Sequence, residues 1–119
     1  MRIDRMVKAT VAALEDIKAR DIMVLDVRKM TSLCDRMIIA SADSGRQSRA
    51  ISSNVQVKLK ALGAKVYGVE GEETGDWVLV DLGNVVVHIM QPTARMYYNL
   101  EQLWSSENKP VRRRRKAAV

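Results

Sequence analysis

Asp76-Trp77-Val78-Leu79-Val80-Asp81-Leu82-Gly83-Asn84-Val85-Val86-Val87-His88-Ile89-Met90 decides the fold. Gly83-Asn84 is a two-residue loop suited to a tight antiparallel turn, because Gly and Asn tolerate positive φ. That turn sets Leu82 opposite Val85, Asp81 opposite Val86, Val80 opposite Val87, Leu79 opposite His88, Val78 opposite Ile89 and Trp77 opposite Met90. Side chains alternate along a strand, so the ribbon has two unlike faces. One, with Val78, Val80, Leu82, Val85, Val87 and Ile89, is wholly aliphatic and belongs in a core. The other mixes Trp77, Leu79, Asp81, Val86, His88 and Met90, and is expected to stand open as a contact surface.

Upstream, Ile3, Met6, Val7, Thr10, Val11, Leu14 and Ile17 recur at steps of three and four, which predicts an amphipathic helix over residues 3–19. Ile22 to Val27 and Met37 to Ala42 read as strands, the second buried on both faces. Ser44 followed by Gln47 is a capping box opening a helix with an apolar stripe Ala50, Ile51, Val55, Leu59 and Leu62, stopped at Gly63. Val66 to Val69 is a short strand, and Glu70 to Gly75 an acidic loop leading into the hairpin. Pro92 suits the first turn of a last helix, from Thr93 to Trp104. The order α-β-β-α-β-β-β-α predicts an α/β fold: a mixed sheet of about five strands flanked by helices.

Hydrophobic content of 47% and charged content of 29% describe an ordinary globular chain of 119 residues, one domain in size. No apolar run approaches the ~18–20 residues that cross a bilayer, and the first turns lack a signal-peptide core. A single Cys, Cys34, excludes an internal disulfide and fits a reducing compartment. A cytoplasmic location and no membrane partner are expected. The net charge of +6 is local: without Arg112, Arg113, Arg114, Arg115 and Lys116 the balance is 15 bases to 14 acids. We therefore divide the chain into a domain over 1–107 and a basic, disordered tail over 108–119, a run able to contact phosphates.

Catalytic signatures are sparse. One His and one Cys exclude a Cys/His zinc site within one chain, and Cys34 beside Asp35 is a poor nucleophile. The Ser44-Gly45 turn between strand and helix resembles a phosphate cradle, which leaves a nucleotide-binding or nucleotidyltransferase-like enzyme as the alternative reading. Such transferases need clustered carboxylates for magnesium, yet Arg46 to Val69 holds no Asp or Glu. Asp76 and Asp81, five apart, fall on opposite strand faces. We expect no catalytic residue, metal or cofactor. The acids Glu70, Glu72, Glu73 and Asp76 beside Trp77 instead form a charged rim around an aromatic anchor, the anatomy of an interface for a basic protein surface.

Further residues carry a family resemblance. Asp21-Ile22 to Asp26-Val27, Cys34-Asp35 with Met37-Ile38-Ile39-Ala40, Ser44 with Arg46-Gln47, Gly68-Val69-Glu70-Gly71, Asp76 to Gly83, Val85 to His88, Tyr98-Asn99-Leu100-Glu101 and Leu103-Trp104 resemble the ribosomal silencing factor family, also called the Iojap family. The similarity spans about residues 4–105. It implies a nucleotidyltransferase-related α/β fold without the catalytic carboxylates. It also implies a translational repressor that binds protein fourteen of the large ribosomal subunit, blocks joining of the small subunit, and is a homodimer when free. On this footing Trp77 is the expected anchor. Asp76, Asp81, Glu70 and Glu73 pair with basic residues of the ribosomal protein, His88 and Met90 fill the strand face, and Arg112, Arg113, Arg114 and Arg115 reach rRNA peripherally.

Overall fold

The computed structural model describes residues 1–100 and 102. Its elements are α1 (Ile3–Asp16), β1 (Arg20–Asp26), β2 (Arg36–Ser41), α2 (Gly45–Ala61), β3 (Gly68–Glu70), β4 (Trp77–Asp81), β5 (Val85–Met90) and α3 (Pro92–Tyr98), in the order the sequence predicts. Five strands form one sheet, ordered β1-β2-β5-β4-β3. The β2–β5 pair is parallel and the others are antiparallel, so the sheet is mixed as expected.

The hairpin has the register read from its turn, from Trp77 opposite Met90 to Asp81 opposite Val86. Leu82 N–H donates to the Val85 carbonyl at 2.9 Å. Of the two turn residues only Gly83 has positive φ, +91°, the pattern of a type II′ turn. Its Asp81 carboxylate braces the turn by accepting the Gly83 N–H at 2.8 Å.

The aliphatic face of β4–β5 is fully buried and packs with Ile38, Ala40 and Ala42 of the β2 segment against Leu14 of α1 and Ile51, Val55 and Leu59 of α2. Asn54 of α2 reaches across to the Ala13 carbonyl at 2.8 Å, and Gln47 to the Ile17 carbonyl at 2.9 Å, locking the two helices together. The opposite sheet face holds a second, smaller core: Met23, Leu25, Val27, Cys34, Met37, Ile39 and Met90, with Ala94 of α3 and Leu100 over it.

Element ends differ from the periodicity. α1 stops at Asp16, because Lys18 adopts φ +64° and Ala19 N–H folds back to the Leu14 carbonyl. The apolar period runs through Ile17, and no Gly marks that stop. At α2, Ser44 Oγ accepts Gln47 N–H at 3.1 Å as predicted, while Gln47 Oε1 returns to Asp43 N–H, at 2.6 Å. α3 is broken after Tyr98, because Asn99 takes a left-handed conformation (φ +50°), and Leu100 and Gln102 are helical again beyond it. Trp104 and the run Arg112 to Lys116 lie outside the described residues.

Candidate docking surface

β4 emerges from a loop whose shape is set by close backbone approach. Gly71 has φ +90°, and a Cβ there would sit 2.0 Å from the Trp77 carbonyl oxygen, so only glycine lets the loop pass the start of β4. The loop is then tied to α2. Ser52 Oγ–H donates to the Glu72 carboxylate at 2.9 Å, and the Arg49 guanidinium donates to the Glu72 carbonyl at 3.3 Å. Glu72 is thus a tether, whereas Glu70, Glu73 and Asp76 are exposed. None of those three pairs with a described cation.

Trp77 is half-buried. Its indole N–H donates to His88 Nδ1 at 2.9 Å, and the two rings lie 5.8 Å apart. Trp77 and His88 are diagonal neighbours on one face, within reach of a long aromatic side chain. On its other side Trp77 meets Tyr98 of α3, centroid to centroid 4.6 Å and tilted by 50°, a favourable aromatic geometry. The accepting Nδ1 requires a neutral imidazole, and burial lowers the His88 pKa from 6.5 to about 4. Beside this cluster a groove of about 430 Å³ is lined by Thr74, Asp76, Trp77, Gln91, Thr93 and Tyr98. Gln91 closes its floor, donating to the Gly75 carbonyl at 3.1 Å and to the Asp76 carboxylate at 3.3 Å.

The mixed face of the hairpin is therefore divided. Leu79, Asp81 and Val86 stay partly accessible, and Glu70 extends the accessible area on β3. At the other end, the expectation of an open face is corrected. Met90 is 0% exposed and His88 only 6%, because α3 folds across β5 and the second core takes Met90 in. Neither side chain meets solvent; His88 serves the surface indirectly, by holding Trp77. The sequence singled out Trp77, Asp76, Asp81, Glu70 and Glu73 and counted Tyr98 in the last helix without a clamping role, but gave no sign of Gln91 or of the Trp77–His88 hydrogen bond. The hairpin register already contained that diagonal pair.

The Ser44-Gly45 turn offers little room for a phosphate. A Cβ on Gly45 would lie 3.0 Å from the Thr74 carbonyl, and one on Gly75 2.6 Å from Gly45 Cα, so the acidic loop already occupies the start of α2. Burial, then the charges of Asp35 and Asp81, push the Cys34 thiol pKa up and disfavour a thiolate. Among the described residues no three His, Cys, Asp or Glu side chains gather as metal ligands, and no helix is long and apolar enough to cross a membrane.

The sequence model of the family described as ribosomal silencing factor during starvation, RsfS, matches residues 1–118. The chain belongs to the ribosomal silencing factor family. It is 52% identical over 107 residues to the ribosomal silencing factor of Chromobacterium violaceum, covering 90% of this chain and 88% of that protein. With the factor of Haemophilus influenzae the identity is 42% over 100 residues, covering 84% and 98%. It is also 34% identical over 98 residues to a mouse protein named mitochondrial assembly of ribosomal large subunit protein 1, covering 80% of this chain and 43% of that one. A crystal structure of a Chromobacterium violaceum protein superposes with a TM-score of 0.87 at 49% identity, covering 100% of this chain and 94% of that one. One from Bacillus halodurans gives 0.77 at 34%, covering 85% and 94%. As a ribosomal silencing factor the chain is a translational repressor acting on the ribosome.

Proposed function

We propose that this silencing factor docks through the Trp77 groove on protein fourteen of the large ribosomal subunit, at the face that meets the small subunit, and blocks joining by occupying that face. The observation that carries the reading is a half-buried Trp clamped between His88 and Tyr98 in a groove that Asp76 also lines, with exposed Glu70 and Glu73 in the segment leading into β4 and none of the three acids paired with a described cation. A rigid aromatic anchor inside a charged rim suits a basic protein surface. The mouse relative's name, which speaks of the large ribosomal subunit, favours that subunit as the target.

In this reading the folded unit is 1–107 with a basic tail at 108–119, the factor works in the cytoplasm, and it self-associates as a homodimer when free. A nucleotidyltransferase-like ancestry also belongs to this reading, in which the Thr74–Gly75 backbone that packs against Gly45 would have displaced a phosphate site.

Co-sedimentation with isolated large and small subunits tests the docking mode. Wild-type protein is expected with large subunits only. Trp77→Ala should lose about 2 kcal/mol of binding, roughly 30-fold. The Glu70→Lys/Glu73→Lys variant alters two exposed side chains outside the packed core and should weaken binding more at low salt than at high salt. Unchanged binding by both folded variants would refute the docking mode.

A further inference from the structure

Charge is sorted along this chain into two consecutive blocks. From Arg46 to Lys65 there are five Lys or Arg and no acid, and from Val66 to Ala94 five acids and no Lys or Arg. The acidic block supplies β3 and the hairpin, whereas the basic block is α2 and the turn after it. Steps of three and four place Arg46, Arg49, Ser53, Val57 and Lys60 on one stripe of α2. All five are exposed, opposite the buried stripe Ile51, Val55 and Leu59. Two arginines stand at one end and Lys60 at the other, about 21 Å away at 1.5 Å per residue, with short side chains between. Elsewhere carboxylates face the cations: Asp21 and Asp43 meet Arg20, Asp26 meets Arg28 and Arg36, and Asp16 meets Lys58. Among the described residues no cation of the stripe meets a carboxylate, and Arg49 donates to a carbonyl, that of Glu72. Helix stability does not account for the pattern. Lys60 suits the last turn, but a first turn favours acids, and this one holds Arg46 and no acid.

We propose that this exposed face of α2 lies on the phosphate backbone of ribosomal RNA beside the docking groove. The proposal takes the ribosome as the target and stands apart from the choice of Trp77 as anchor. Packing at the helix start brings the two surfaces together. A Cβ on Gly45 would lie 3.0 Å from the Thr74 carbonyl, and Thr74 also lines the groove. The groove then presents Asp76 to a basic protein while α2 presents cations to the RNA around that protein. The side chains of the stripe select RNA over an acidic protein. Protein interfaces are anchored by aromatic or large side chains in apolar pockets, and here Val57 is the one apolar side chain larger than Ala. Phosphates need cations and a surface that lets a sugar-phosphate backbone come close, which Ala50 and Ser53 permit. Phosphate contacts set register and orientation without reading sequence. The stripe therefore fixes the angle at which the groove meets its partner, and its contribution is salt-sensitive.

The test uses full-length protein and the variant Arg46→Gln/Lys60→Gln, which alters two exposed side chains outside both the core and the groove lining. Both are titrated against large subunits from about 0.05 to 0.3 M salt. Loss of two phosphate contacts should lower the slope of log affinity against log salt by roughly 1.5 and weaken binding about 10-fold at 0.1 M salt. An unchanged slope would overturn the phosphate contact. The chemistry of the partner is read by Ser53→Cys carrying a photoreactive group, attached selectively because Cys34 is buried and its thiol pKa raised. Irradiated on large subunits, this group should crosslink to rRNA. Crosslinks to a ribosomal protein, or none above an unbound control, would overturn the assignment to RNA. The two readings fail separately. If Trp77→Ala keeps wild-type affinity while position 53 still crosslinks to rRNA, the docking mode falls and the RNA contact stands. If Trp77→Ala loses affinity while Arg46→Gln/Lys60→Gln keeps the wild-type slope, the docking mode stands and the RNA contact falls.

Discussion

The two faces of the β4–β5 hairpin are built from one ribbon and behave as different materials. On the aliphatic face every side chain from Val78 to Ile89 is buried against α1 and α2, and each adds to stability in proportion to the apolar area it removes from water. On the mixed face the chain spends polar groups to hold one aromatic in place. His88 gives up its charge to accept from Trp77, Tyr98 stacks on the indole, and Asp81 is drawn into the turn. The first face stabilises the fold, while the second holds a half-buried Trp at the surface, where the proposed docking mode would have it meet a partner. A residue's consequence when mutated should therefore follow its face more than its size.

The sharpest contrast should come from Ile89→Ala. That side chain is 0% exposed, and its truncation should cost about 2–5 kcal/mol of stability by denaturant titration, with subunit affinity of the folded fraction unchanged. A loss of affinity instead would mean the two faces are not independent.

Protonation separates them next. The unfolded chain takes up a proton at His88 near pH 6.5, but the folded chain only near pH 4, so below 6.5 the unfolded state binds more protons. Stability from the neutral imidazole is complete above pH 6.5 and declines as pH falls to 4, by about 3 kcal/mol in all. Thermal melts across this range should slope accordingly, and His88→Gln should flatten the slope.

Tyr98→Ala removes one side of the Trp77 clamp and leaves the aliphatic core untouched. It should reduce subunit affinity by about 1 kcal/mol, the scale of an aromatic pair, with a smaller effect on stability. Asp81→Ala asks on which side that carboxylate belongs. As a turn brace it should cost about 1 kcal/mol of stability and leave affinity alone; a matching fall in affinity would make it a partner contact.

Much of this contrast was legible before any coordinates. Gly83-Asn84 specifies the turn, the turn specifies the register, and a period of two then sorts every residue onto one face or the other. What could not be read was which parts of the mixed face would be covered. That depended on α3, whose end is set by Asn99 in a left-handed conformation, a state that Asn permits without announcing. Met90 consequently entered the second core, and His88 changed from a contact residue into a support.

The division of labour follows from the range of the interactions. Helix caps, turn chemistry and apolar period are local, and they determined the element order, the mixed sheet's hairpin and the identity of the core face. The clamp on Trp77, the tether from Glu72 to Ser52 and the filling of the α2 start by Gly75 join residues 11 to 30 positions apart. Only the folded backbone brings such pairs within 3 to 5 Å, so only the tertiary structure decided which acids and aromatics face outward.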